Sequence, residues 1–319
     1  MSSGTGGQDG RGIALEDEDM VVLAGTTGAD RLRGAATDDI IGGGDGNDTV
    51  TGLDGNDQLE GGVGSDTLWG GNGDDLVLGD AGDDRMTGGS GNDVLDGGDG
   101  RDIIYGGDGD DIVRGGTGAD NLSGAGGNDT MYGGGGADVV SGGDGDDFIL
   151  ALGGSATAMF GGSGNDLIQG ADNIDRLFGG DGDDTVRGGL GSDQITGGNG
   201  DDVLIGGVGA DRMIGGEGAD HFLYASRHAE ASAFRETIVD FESGLDRIDL
   251  HLMDASFVSA GKQAFSFIGS DAFSDIGQVR YSVVDGGVLI EATQSDSAHP
   301  TFALLLAGLT GMNADDLVL

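Results

Sequence analysis

Aspartate recurs in this chain at multiples of nine residues, at Asp30, Asp48, Asp57, Asp66, Asp75, Asp84, Asp93, Asp102, Asp111, Asp120, Asp129, Asp138 and Asp147, then after a break at Asp166, Asp184, Asp193, Asp202, Asp211 and Asp220. With no Cys in the sequence there is no thiolate to bind a soft metal. Carboxylates held in register are the ligands of a hard cation: Ca2+ takes about six to eight oxygens at about 2.3–2.6 Å in irregular geometry, whereas Mg2+ demands a near-octahedral shell. The spacing therefore points to multiple Ca2+ ions held by these aspartates. Charge argues the same way. The chain carries 58 Asp and Glu against 14 Lys and Arg, a formal net charge of -44. Like charges a few ångströms apart repel by roughly 4 kcal/mol at an intermediate dielectric, so an ordered state needs a counter-ion that the protein's own cations cannot supply. Nucleic acid and anionic membranes, which require basic patches, are disfavoured as partners.

The element that repeats the aspartate is a nonapeptide, G-G-x-G-x-D-x-U-x with U apolar, in about 22 units from Gly25 to Leu223. The eighth position reads Leu32, Ile41, Val50, Leu59, Leu68, Val77, Met86, Leu95, Ile104, Val113, Leu122, Met131, Val140 and Ile149, then resumes at Ile168, Leu177, Val186, Ile195, Leu204, Met213 and Phe222. Such register distinguishes the segment from a disordered Gly- and Asp-rich linker. The first six residues read as a turn and the last three as a short strand that sends U inward. Two units make a coil of about 18 residues, and stacked coils build two parallel sheets with the U residues between them. The predicted fold is all-β, a parallel β-roll (nonapeptide-repeat solenoid) with a C-terminal antiparallel β cap. Its domains are a polar leader over 1–24, the roll over 25–223 and the cap over 224–319.

Stacking sets each sixth-position Asp beside the one two units on, with turn carbonyls between, in an odd column beginning at Asp30 and an even column. Acidic residues elsewhere in the unit, such as Asp45, Asp74, Asp99, Asp110, Asp146 and Asp183, read as solvated surface. Three units depart from the pattern: that at Gly34 has Thr37 at the fourth position, Ala151–Phe160 has ten residues with Ala156 at the sixth, and that at Gly170 has Asn173. The units at Ala151 and Gly170 are neighbours in the odd column, which is expected to lose one to three ions there while the even column runs on through Asp166, Asp184, Asp202 and Asp220.

Beyond Leu223 glycine thins and eight of the 11 Phe lie at or beyond Phe222, so an ordinary core replaces the ladder. Alternating runs at Glu236–Phe241, Arg247–Leu250, Ala264–Ile268, Gln278–Val284, Val288–Ala292 and Thr301–Leu306 predict antiparallel strands, with a hairpin at Asp285-Gly286-Gly287. No catalytic constellation is visible. The four histidines, His221, His228, His251 and His299, do not form H-E-x-x-H, and there is neither G-x-S-x-G nor a Cys nucleophile. Residues 1–19 lack the apolar h-region of a secretory signal, and no apolar stretch approaches transmembrane length. Any export is expected to use another signal.

The nonapeptides resemble the RTX, or hemolysin-type, calcium-binding repeats. The tail is similar to the C-terminal domain of serralysin-type metalloproteases through Thr237-Ile238-Val239-Asp240-Phe241, Gly244-Leu245-Asp246-Arg247-Ile248-Asp249-Leu250, Ala264-Phe265-Ser266-Phe267-Ile268-Gly269 and Gly277-Gln278-Val279-Arg280-Tyr281. The resemblance implies a secreted, extracellular protein whose C-terminal region is an uncleaved signal for type I secretion machinery, ending in an acidic residue and a few apolar ones, as in Asp316-Leu317-Val318-Leu319. It also implies folding on Ca2+ outside the cell, where millimolar calcium meets dissociation constants of about 10⁻⁴–10⁻³ M. Two other readings stand beside this non-enzymatic one. One is the carrier portion, or an inactive relative, of a secreted metalloprotease or other hydrolase. The other, implied by similarity to the repeat modules of mannuronan epimerases, is calcium-dependent binding of extracellular polysaccharide.

Overall fold

A computed structural model describes residues 2–3, 20–153, 155–225, 236–253, 264–294 and 300–319. Most of the 1–24 leader, together with His228 and His299, lies outside the described residues. The chain divides into two compact units, Met1–Ser163 and Gly164–Leu319.

The N-terminal unit is a roll of two parallel sheets. One runs through Ile40–Asp45, Gln58–Val63, Leu76–Ala81, Val94–Asp99, Ile112–Thr117 and Thr130–Gly135, the other through Thr49–Asp54, Thr67–Asn72, Arg85–Ser90, Ile103–Asp108, Asn121–Gly126 and Val139–Asp144. Successive strands of a sheet are one coil apart, so Ile41 pairs with Leu59, Leu59 with Val77, and Val50 with Leu68. This is the 18-residue coil that the nonapeptide predicts. The U side chains fill the space between the sheets, with Leu68, Met86, Leu95, Ile104 and Val113 wholly buried.

The division of the nonapeptide differs from the expectation. Strands are six residues long, x-U-x-G-G-x, and only the fourth to sixth positions connect them. The second glycine pairs across the sheet, Gly44 with Gly62, because nothing projects from it, and it carries a left-handed kink, φ +101° at Gly44, that turns the strand toward the next connection. The ten-residue unit is absorbed upstream of its strand. Met159 takes the buried U place opposite Val140, and Thr157, not Ala156, stands where the sixth-position aspartate belongs.

The C-terminal unit also has two parallel sheets, one running through Thr185–Leu190, Val203–Val208 and His221–Ala225, the other through Arg176–Asp181, Gln194–Asn199 and Arg212–Glu217. Parallel pairing continues past Leu223. Glu236–Ile238 adds to Arg212–Glu217, and Arg247–Leu252 adds to His221–Ala225. These two strands, expected to be antiparallel, are parallel because their apolar residues Ile238 and Ile248 take U places over Met213 and Phe222. The short strand Ser266–Phe267 is also parallel to its neighbour. An antiparallel cap does form from Gln278–Val284, Gly287–Ala292 and Phe302–Ala307, turning at Asp285-Gly286 with Gly286 at φ +94°. Arg280 and Glu291 pair across it at 2.8 Å. Phe302–Ala307 lies parallel to Glu236–Ile238, joining the cap to the roll, and Leu317–Val318 adds a last strand beside Ile248 and Asp249.

One apolar residue per strand leaves the core no redundancy. Leu95→Ala removes a side chain with no exposure and is expected to cost about 2–5 kcal/mol, read as a lower melting temperature in saturating calcium. Substitution of the exposed Leu76 should leave the melting temperature nearly unchanged.

Candidate metal centres

The coil withdraws its sixth-position aspartates from water. From Asp48 to Asp147 and from Asp166 to Asp220 none is more than 3% exposed, whereas Asp30, in the first coil, is half-buried. The two carboxylate oxygens have different surroundings. Oδ1 accepts the backbone N–H of the aspartate one coil earlier, at 2.7 Å from Asp48 N to Asp66 Oδ1, 2.8 Å from Asp75 N to Asp93 Oδ1 and 3.0 Å from Asp202 N to Asp220 Oδ1. This ladder fixes the carboxylate rotamer along each column. Oδ2, in every sixth-position aspartate from Asp48 to Asp138 and from Asp184 to Asp220, is buried without a hydrogen-bond partner. A buried carboxylate oxygen left unpaired is costly, and a row of them requires an external partner.

That oxygen faces a backbone carbonyl. A Cβ placed on Gly43 would lie 2.5 Å from Asp48 Oδ2 and 2.5 Å from the Gly61 carbonyl oxygen, and one on Gly79 would lie 2.5 Å from both Asp84 Oδ2 and the Gly97 oxygen. The two oxygens are thus no farther apart than twice that length, which a single Ca2+ with bonds of about 2.3–2.6 Å spans. The first glycine of each unit keeps this cradle open. Among the described residues no three carboxylate or imidazole side chains gather as a metal cluster, so a cage here draws on carbonyl oxygens as well as aspartate. Such a donor set is hard and suits calcium.

The electrostatics record the same demand. Burial, followed by the charges of neighbouring column members, pushes the carboxyls of Asp75, Asp84 and Asp111 up to about 7, against the lowering effect of the backbone N–H each accepts. Burial does the same at Asp57, Asp102 and Asp220, to about 6.

Several residues that the periodicity passed over belong to these columns. Asp39, Asp175 and Asp246 are buried at sixth positions. Asp246 continues the even column, its Oδ1 accepting from Asp220 N at 3.1 Å. Its unit, Phe241–Asp249, keeps the fourth glycine and the sixth aspartate but replaces the leading Gly-Gly with Phe241-Glu242, which hides the repeat. Glu236 follows Asp211 in the odd column, and burial, then the charge of Asp211, raises its carboxyl well above the ordinary range. Nor are the fifth-position side chains merely solvated. Exposed Asn56, Asp74, Asn92 and Asp110 form an outer rail in which each side-chain oxygen accepts the fifth-position N–H of the next coil, at 2.7–3.0 Å. This rail runs in the opposite sense to the buried ladder. The Asp45 and Asp99 side chains stay on the outside of the turns. Of the described histidines, His221 lies exposed on a strand and His251 pairs with Asp249.

Residues 22–50, 51–86, 78–113, 87–122 and 114–149 match the RTX calcium-binding nonapeptide repeat (4 copies), and residues 137–318 match the peptidase M10 serralysin C terminal family. No curated protein matches the chain. Among solved structures, the solution structure of the AlgE6R3 subunit of the Azotobacter vinelandii mannuronan C5-epimerase is 32% identical over 47% of this chain and 80% of that one, with a TM-score of 0.36. The AlgE6R2 subunit of the same enzyme is 28% identical over 47% of this chain and 90% of that one, also at 0.36. The serralysin match spans more than half of the sequence and the repeat match covers most of the remainder: the chain belongs to the peptidase M10 serralysin C-terminal family and carries RTX calcium-binding repeats.

Proposed function

We propose that this is a secreted protein whose roll folds on binding a series of Ca2+ ions after export, through its uncleaved C-terminal region, by type I secretion machinery. The observation that carries the reading is the row of buried Oδ2 atoms with no partner, most of them, as at Asp48, Asp57, Asp84 and Asp93, facing a carbonyl oxygen across the space of a glycine hydrogen. Calcium bound there supplies the positive charge that the columns lack. The chain's own residues do the rest: the Oδ1 ladder holds each carboxylate in place, and the first glycines keep the cradles open. Where calcium is scarce, the same columns repel one another and hold the chain unfolded for passage through a channel. Where calcium is millimolar, binding free energy becomes folding free energy. The sixth-position aspartates from Asp48 to Asp147, with Asp166 and those from Asp184 to Asp220, are the ligands this reading assigns.

A second reading has its own support. In the sheet through Thr49–Asp54 and Ile103–Asp108, the seventh and ninth positions from Arg31 to Phe160 carry Arg31, Arg33, Trp69, Arg85, Tyr105 and Phe160 and no acid, which is confined to strand ends such as Asp54 and Asp108, in a chain of net charge -44. Trp69, Tyr105 and Phe160 are each about 40% exposed, and the Arg85 guanidinium lies over the Tyr105 ring at 5.7 Å. A flat face of this composition suits an anionic polysaccharide, stacking on sugar rings and pairing with carboxylates. Calcium-dependent retention on a uronate polymer, weakened by Trp69→Ala with unchanged calcium binding, is the expected result.

A circular-dichroism titration from chelator to millimolar calcium should show a cooperative gain of β signal, and Asp93→Ala should raise its midpoint. A native spectrum retained in strong chelator at neutral pH would refute the folding reading. The raised carboxyls also set a pH dependence. Without metal the coil binds more protons than the unfolded chain, whose carboxyls titrate near 3.8, so this contribution is complete in acid and disappears as pH rises through 6 to 7. In chelator, dilute protein should therefore show β structure near pH 4 and lose it by pH 7.5, where only calcium restores it.

A further inference from the structure

The turns are of two kinds, distinguished by the second position of the nonapeptide. In the regular turns that residue has positive φ even where it is not glycine: Leu53 is at +106°, Asp80 at +69° and Ala125 at +86°. The aspartates of those turns, Asp57, Asp84 and Asp129, are among those whose Oδ2 lacks a partner. In four other turns the second position is Thr26, Ala35, Ala171 or Glu242, none of them at positive φ. There its N–H points into the turn and donates to Oδ2 of the sixth-position aspartate, at 2.6 Å to Asp30, 2.6 Å to Asp39, 3.1 Å to Asp175 and 2.7 Å to Asp246. At Asp30 the Thr26 hydroxyl adds a second bond of 2.8 Å.

A side chain resists the left-handed region, because its Cβ crowds the following carbonyl. Leu53, Asp80 and Ala125 nonetheless adopt it, and in doing so they turn away the one N–H that could satisfy Oδ2. They forgo a local hydrogen bond and accept strain, an arrangement that persists only if what meets Oδ2 repays both. The four closed turns lie where the regular repeat starts, stops or is disturbed. Asp30 and Asp39 belong to the first coil, Asp246 to the last unit with the repeat pattern, and Asp175 to the second unit after the ten-residue one in sequence, in a turn with Ala171 and Asn173 in place of two of its glycines.

Resting on the calcium reading, we propose that the backbone of the second position decides whether a turn takes an ion. The left-handed form frees Oδ2 for calcium. The ordinary form spends Oδ2 on the turn's own N–H, making Asp30, Asp39, Asp175 and Asp246 ion-free clasps that finish the columns without metal.

The test counts calcium on the full chain, by native mass spectrometry and equilibrium dialysis, for the natural protein, Asp39→Asn and Asp84→Asn. Asp39→Asn should keep the full count, whereas Asp84→Asn should lose at least one ion. Loss of an ion from Asp39→Asn, as from Asp84→Asn, would overturn the clasp assignment and leave the calcium reading intact. A full count from both variants would overturn both, as would a natural chain that binds no calcium. Should Asp84→Asn fail to fold, Ala125→Gly provides the second measurement. Relieving a left-handed residue that is exposed should lower the calcium midpoint of folding at unchanged count, and an unchanged or raised midpoint would count against the proposal.

Discussion

The structure depends on a row of carboxylates that is half satisfied. In the regular turns of each column Oδ1 is paired to a backbone N–H of the preceding coil and Oδ2 is left without a hydrogen bond, as at Asp48 and Asp93, where it faces a carbonyl. The first bond selects the rotamer and makes the column rigid, and the second oxygen makes it unstable alone. In most proteins a buried polar group is answered from within the chain. Here the answer is deferred to a solute, so the stability of the fold becomes a function of the medium. No rearrangement of side chains relieves it: the charge at each step is repeated one coil above and one coil below.

The nonapeptide separates its chemistry by position. Acidic residues crowd the connections, at the fifth and sixth positions, and the strand ends that lead into them, at the third, whereas basic and aromatic residues such as Arg85, Tyr105, Arg114 and Tyr132 occupy the seventh and ninth positions of the strands. The buried ladder and the exposed fifth-position rail run in opposite senses. Each coil is thus tied to both of its neighbours by side chain to backbone bonds as well as by the sheets, without any of the apolar residues that a larger core would need.

Periodicity made the 18-residue coil, the inward U residues and the burial of the sixth aspartate legible, because each follows from which positions can lack a Cβ and which cannot be polar. Strand length was not legible. Gly-Gly reads as turn from propensity alone, yet Gly44 pairs with Gly62 because a parallel sheet admits bare backbone where side chains would collide. The last units were masked for a related reason. Phe241-Glu242 replaces the leading glycines, so Asp246 and Ile248 look like cap residues although they hold repeat places. Spacing also located the insertion within Ala151–Phe160 without showing that the strand would keep its register and bring Thr157 to the aspartate's place. The difference between open and closed turns lies in φ at the second position, which residue type does not decide, since Ala125 is left-handed and Ala35 is not.

Because pairing advances by 18 residues while the motif advances by nine, the heritable unit of length is two motifs rather than one. Removing a single nonapeptide from within a unit would exchange the parity of everything downstream, sending strands destined for one sheet to the other. In the C-terminal unit Glu236–Ile238 and Arg247–Leu252, which are not interchangeable, would each meet the wrong edge. Gain or loss of a whole coil preserves both edges, so rolls of this kind can change length only in even steps.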